Sequence, residues 1–443
     1  MKKVISLLIF AAVIVSLASC KKDPDGSSGP GASRSPNPPP YVVAQGFDLV
    51  SEFSDGLAAV GDSGLWGYID GTGELVIPPS FSLAAPFVDG IAVVSISSGD
   101  EDRPYRHALL NDEGKLLTPF DYVWIGEFSE GMALVTTYQE FQDGDIEYEA
   151  EKYGYVDRSG RLAIPIEFDE ARDFSEGLAA VSLGAWYGFI DKTGKTAIPF
   201  EYQETFSFSE GLASVYFEGK YGFIDASGKV AIPIEFDYAG SFSEGLAMAA
   251  KSQDDGSVFW GYIDKTGKTV IPFEFWAVGD IIDGIGLVSM GDGSGYAFID
   301  RTGRIIAKHG DFVYVHAFSE GLAAMRYKDK WGFIDKTGRT VIDYAYEAVS
   351  EQGFTDGIVL VKNENKWGFI DRDGNVAIPF EYDVVFDFSD GFAVAVKNGR
   401  CGVINGAGDL IIPFEHEIIT YVAEGFAFSL REDGGWDLLD LNR

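Results

Sequence analysis

The tetrapeptide Phe-Ser-Glu-Gly and its variants return eleven times between Phe53 and the C-terminus. The first position is held by Phe53, Phe87, Phe128, Phe174, Phe208, Phe242, Ile281, Phe318, Phe354, Phe388 and Val422, and five of the ten intervals are 34 residues. A unit this short cannot bury a core alone. It must stack on copies of itself, so the chain grows by adding units rather than by splitting into separate cores.

Residues 174–207 show what is stacked. Gly177 opens an apolar run, Leu178–Ser182, which reads as a strand, and Tyr187–Asp191 reads as a second. Asp191-Lys192-Thr193-Gly194-Lys195 reads as a turn. An Asp side chain accepts from the amides that follow it, and Gly supplies the positive φ of a tight hairpin. The third strand, Thr196–Ile198, is expected to end at Pro199, which has no N–H for a ladder. Helical spacing is not sustained anywhere in the unit. The expected fold is all-β: tandem repeats of about 34 residues, each an antiparallel three-stranded meander with room for a short fourth strand.

An aromatic-Gly-aromatic-Ile-Asp stretch follows each tetrapeptide. It is clear at 66–70, 153–157, 187–191, 221–225, 260–264, 296–300, 331–335 and 367–371, and degenerate at 107–111, 401–405 and 436–440. With the turn and the Ile-Pro that follow, this pattern resembles the WG-repeat family, most closely at 331–341 and 367–379, and over essentially all of 42–443. The resemblance implies a bacterial β-repeat protein, often exported, without established catalytic activity. It implies no ligand. Departures are local: His107-Ala108, Cys401 before Gly402, and Asp343 in the Pro position.

A curved or superhelical array is expected. The alternative is a closed β-propeller, in which Val42–Val50, aligned with a third strand and its exit, completes the last motif, Trp436–Asp440.

Met1-Lys2-Lys3 precedes an apolar run, Val4–Leu17, which is short for a membrane span but fits a signal peptide. Leu17-Ala18-Ser19-Cys20 resembles the bacterial lipobox, which implies cleavage before Cys20 and its lipidation. Residues 20–40 hold six prolines among Gly and Ser and read as a solvated tether. The expected division is a signal peptide at 1–19, lipidated Cys20 and tether at 20–40, and an array of about eleven units at 41–443. The lipid is the one membrane attachment expected. It places the protein at the bacterial cell envelope, at the outer membrane or cell surface.

Net charge is −35, which excludes nucleic acid as a natural partner. With Cys20 lipidated, Cys401 has no disulfide partner and reads as a buried, inert thiol. His107, His309, His316 and His416 lie at unrelated positions, so no zinc site is expected. Asp371-Arg372-Asp373-Gly374-Asn375 looks like the start of a calcium loop, but it stands in register with the hairpin turns and lacks the closing Glu. No metal and no cofactor is expected.

The aromatic of each motif forms a series: Trp66, Tyr153, Tyr187, Tyr221, Trp260, Tyr296, Trp331 and Trp367. One aromatic per unit at a fixed strand position reads as packing between units rather than a sugar-stacking ladder. The Glu of the tetrapeptide reads as a solvated turn residue. Three insertions fall between the first and second strands, at Ser97–Pro104, Thr136–Lys152 and Ser252–Val258. They read as recognition loops on one edge, carrying Asp100, Glu101, Asp102, Glu140, Asp143, Asp145, Glu147, Glu149, Glu151, Asp254 and Asp255.

The function expected is that of a non-enzymatic, lipid-anchored envelope scaffold whose array binds a protein or a glycan. The alternatives are a carbohydrate-active enzyme with paired carboxylates on the inserted loops, and a purely structural envelope protein.

Overall fold

The computed structural model describes residues 39–143, 146–290, 295–309 and 312–443. The expected signal peptide, Cys20, nearly all of the tether, and Asp145 lie outside the described residues. Among those described, every helix-or-strand element is a strand.

The Phe174 unit shows how each is made. Leu178–Leu183, Trp186–Asp191 and Thr196–Tyr202 are the expected meander, and Glu170–Ala171 adds a short fourth strand along the first. In the turn, Asp191 Oδ1 accepts the N–H of Thr193 at 2.8 Å and of Lys195 at 3.1 Å.

The third strand does not stop at Pro199. It bulges over it: Phe189 faces Ile198, while Tyr187, two residues back, faces Tyr202, four residues on. A bulge takes Pro out of the ladder, where its missing N–H costs nothing. The bulge crosses the second strand at Gly188. A Cβ there would stand 2.7 Å from the Ile198 carbonyl oxygen, and one at Gly67 would stand 2.3 Å from that of Ile77. The unit with Asp343 in place of Pro keeps the same bulge, with Phe333 facing Ile342 and Trp331 facing Tyr346. The glycine, rather than the proline, is what the crossing requires.

Hydrophobic cores lie between units rather than within them. Leu178, Phe189 and Ile198 of one unit pack with Phe208, Ala213, Val215 and Ile224 of the next. The Phe189 and Phe208 rings meet edge to face, with centroids 4.9 Å apart, and the contact recurs as Tyr68–Phe87, Tyr155–Phe174 and Phe333–Phe354. A unit cut from the array would expose half of two cores, which is why the sequence has to repeat.

The two ends of the array meet. Val42–Phe47 pairs antiparallel with Trp436–Asp440, placing Gln45 opposite Asp437 and Phe47 opposite Trp436, and so gives the last unit its third strand. Phe53 and Ile69 of the first full unit then pack against Phe428 and Leu438 of the last. The expected array thus closes on itself in the way its alternative reading describes. It forms no barrel, because the sheets remain separate.

Candidate functional site

Each strand runs between two edges of the array, and the edges differ. The first carries the tetrapeptide turns. Ser175 and Leu178 exchange backbone hydrogen bonds across Glu176 and Gly177, which have φ of 54° and 83°. Two successive positive φ values are the I′ turn, for which Asn-Gly is the favoured pair. Glu in that position needs another reason.

Its carboxylate supplies one. Glu176 Oε2 accepts the N–H of Gly211, in the next turn, at 2.8 Å. Glu130 accepts from Gly177 at 3.0 Å, Glu244 from Gly284 at 2.9 Å, and Asp55 from Gly90 at 2.8 Å. Glu424, in the last turn, accepts from Gly56, in the first, at 2.8 Å. The serines work in parallel: Ser175 Oγ donates to the Phe208 carbonyl and Ser209 Oγ to that of Phe242, both at 2.7 Å. Lysines of the following unit close the joint, with Lys192 Nζ 3.1 Å from Glu130 and Lys265 Nζ 2.9 Å from Glu210. The Lys265 ammonium and the Gly245 amide hold the Glu210 carboxyl below its ordinary value. This Glu is a turn residue, and exposed in Glu130, Glu176 and Glu424 as expected, but it is not idle: it joins units.

At the opposite edge lie the hairpins between first and second strands, and the three insertions. The longest insertion is not a loop. Met132–Asp143 and Ile146–Asp157 form one continuous ladder from Met132↔Asp157 to Asp143↔Ile146. Residues 137–143 and 146–152 are thus a two-stranded ribbon that extends the hairpin. Phe141 and Tyr148 stack across it at 5.6 Å, and Gln139 Nε2 ties it to the Ile166 carbonyl at 2.8 Å.

The pairing sorts its side chains. Tyr138, Glu140, Gln142, Glu147, Glu149 and Glu151 share one face, with Glu140 directly opposite Glu149. Arg103, from the insertion of the preceding unit, lays its guanidinium 3.7 Å over the Tyr138 ring and donates to Glu149. Asp100 accepts the amides of Asp102 at 2.9 Å and Arg103 at 3.3 Å, and Glu101 and Asp102 are exposed. Two insertions therefore meet through Arg103. Asp143 ends its strand opposite Ile146. Asp254 and Asp255 sit on the hairpin of the Phe242 unit, where Asp255 Oδ1 accepts the Ser257 N–H at 2.9 Å.

The repeated aromatics lie at this same edge. Trp66, Tyr153, Tyr187, Tyr221, Trp331 and Trp367 flank the inter-unit cores. Trp260 is half-buried, with its ring 5.2 Å from that of Tyr238, and Tyr296 is 50% exposed. The ring that plugs each core is two residues further on, as in Tyr68, Tyr155, Phe189, Tyr262 and Phe369. Sequence reasoning passed over it, although its spacing is as regular as that of the Trp. Where this residue is Tyr, its hydroxyl donates to the next unit's main chain: Tyr68 to Ala85 and Tyr155 to Arg172, both at 2.7 Å.

Among the described residues, no group of three or more His, Cys, Asp or Glu is arranged to hold a metal. His107 shares a hydrogen bond with Ser95, His316 lies 4.6 Å from the Trp331 ring, and His416 meets Tyr41 at 6.4 Å. Asp371 accepts the amides of Asp373 and Asn375, as a hairpin turn does. Cys401 is half-buried, with Sγ 3.4 Å from the Glu417 carbonyl, and burial raises its thiol.

The signature of the WG containing repeat matches residues 66–98, 109–137, 153–185, 187–221, 221–252, 260–293, 296–331, 331–367 and 367–401. No curated protein sequence matches the chain. Among solved structures, a eukaryotic initiation factor is similar at 12% identity and a TM-score of 0.41, over 80% of this chain and 94% of that one. A puromycin hydrolase is similar at 14% identity and a TM-score of 0.26, over 58% of this chain and 53% of that one. Likenesses this weak carry nothing about function.

Proposed function

The chain belongs to the family built from the WG containing repeat, and from that premise we propose that it is a non-enzymatic, lipid-anchored binding scaffold of the bacterial cell envelope, holding a protein or a glycan. The observation that carries this reading is the division between the edges. The residues that recur at the tetrapeptide edge are consumed in joining units, as Glu176 is with Gly211. The hairpin edge varies in length from unit to unit, and it gathers half-buried aromatics and exposed carboxylates. Variable loops on a rigid scaffold are where proteins place recognition. The anchor rests on Leu17-Ala18-Ser19-Cys20 and the proline-rich segment after it. No helix of the described residues is long and apolar enough to cross a membrane.

Photo-cross-linking in living cells tests the reading. Benzoylphenylalanine at Tyr148 or Trp186, on the hairpin edge, should capture an envelope component, and at Thr266, in the Asp264 turn that lies on the tetrapeptide edge because Asp264 faces Leu246, should not. Equal capture at both edges contradicts it. Cys20→Ser should abolish labelling by a fatty-acid analogue and release the protein from membranes; unchanged retention contradicts the anchor.

A further inference from the structure

The ribbon outruns the strands on either side of it. Strands Leu178–Leu183 and Trp186–Asp191 of a typical unit are six residues each, whereas Met132–Asp143 and Ile146–Asp157 are twelve each. Their neighbours do not follow them outward. Trp124–Ser129 pairs with the first strand only as far as Thr136, and Leu162–Phe168 pairs with the second only from Tyr153 inward. Beyond Thr136, the outer main-chain groups of the first strand face no strand among the described residues. Proteins blunt such an edge or use it to take up a strand from elsewhere.

The exposed face beside that edge has a definite chemistry. It carries Glu140 on the first strand and Glu147, Glu149 and the half-buried Glu151 on the second, with Glu140 directly opposite Glu149. Like charges facing each other across a ladder weaken it; Arg103 offsets Glu149, and Glu140 and Glu147 are left to favour an added cation. The chain shows which kind of cation fits. Arg103, arriving from another unit, stacks its guanidinium on Tyr138 and pairs with Glu149. Tyr138 stays 37% exposed beside it, and Tyr148 is 49% exposed on the other face.

We propose that the edge of Met132–Asp143 beyond Thr136, which no described strand covers, takes up, by strand addition, an extended peptide segment with Arg or Lys at every second residue. Side chains alternate across a strand, so this spacing sets all the cations over the carboxylate face while the main chain continues the ladder. The proposal rests on the reading of the protein as a binding scaffold and names one partner class for it.

The test uses the full chain and three synthetic peptides: one alternating Thr and Arg, one of the same composition with the Arg clustered at one end, and the alternating peptide with N-methylated ladder amides. Binding is read by fluorescence anisotropy at about 20 and about 300 mM salt. The alternating peptide should bind at least about tenfold more tightly than the other two, and more weakly at the higher salt. Glu140→Gln with Glu147→Gln should weaken it about tenfold, while Asp254→Asn with Asp255→Asn, the same charge change on another hairpin, should leave it unaltered. Circular dichroism and melting of each variant confirm that the fold is retained. Equal binding of the three peptides, or equal effects of the two double substitutions, overturns the proposal, because attraction to any polyanion would then suffice. No binding of the alternating peptide also overturns it. If cross-linking at Trp186 still captures an envelope component in that case, strand addition fails and the scaffold reading stands.

Discussion

Two edges of one unit are made from the same strands and do opposite things. At the tetrapeptide edge, Ser175, Glu176 and Gly177 each bond to a neighbouring unit, and the same bonds recur from turn to turn. At the hairpin edge, the connection is Gly184-Ala185 in one unit and the ribbon of residues 137–152 in another. Recurrence marks what must fit a copy of itself. Variation marks what is left free to fit something else.

The difference between the edges is sharpest in the cores beneath them. Phe189→Ala removes a fully buried ring shared by two units and should cost about 3–5 kcal/mol. Trp186→Ala, at the hairpin edge and 43% exposed, should change stability by no more than about 0.5 kcal/mol. Chemical denaturation separates the two, and hydrogen exchange should quicken around Leu178 and Phe208 in the first variant alone. Equal costs would erase the distinction.

Gly188→Ala comes next. The new methyl meets the Ile198 carbonyl, and overpacking of this kind should cost about 1–3 kcal/mol. Gly184→Ala, where nothing crowds the Cβ position but φ is 62°, should cost about 1 kcal/mol through backbone strain alone. Melting curves distinguish clash from strain.

Glu210→Ala unpairs the Gly245 amide and Lys265 at one joint. The loss should be about 1 kcal/mol, visible as a lower urea midpoint at an unchanged slope.

The smallest effect is that of acid. Ser159, then Arg161 and the turn amides, hold Asp157 at about 2. Burial pushes Asp300 upward, but Thr302, Arg304 and the turn amides outweigh it and leave it at about 2. These depressed groups stabilise the fold fully above the unfolded carboxylate value of about 3.9. That stability is lost as pH falls through the folded value of about 2. Melting temperature should therefore fall across this window, and Asp157→Asn should flatten the fall without breaking the turn. Asn405 already fills the same position in another unit, accepting the amides of Ala407 and Asp409.

Much of this was legible in the sequence. The three strands, the Asp turn and the match of Val42–Val50 to a third strand and its exit could be read from spacing, because a repeat displays each element many times. Glu176 could not be read. Its partner, Gly211, is 35 residues away, and a carboxylate in a turn looks the same whether it faces water or an amide. The path over Pro199 was hidden because it depends on Gly188 in a different strand. The ribbon reads as a loop in the sequence because its acids outweigh its alternation, in which Thr137, Gln139 and Phe141 fall opposite in face to Tyr138, Glu140 and Gln142.

The joint between units also closes the array, with the last unit completed by the first strand and held to the first turn by Glu424 and Gly56. A cysteine pair at Gln45 and Asp437, which face each other across that seam, tests this most directly in a Cys401→Ser background. Mild oxidation should form a disulfide within single chains and raise the melting temperature. Free thiols, or disulfides found only between chains, would contradict the closed circuit.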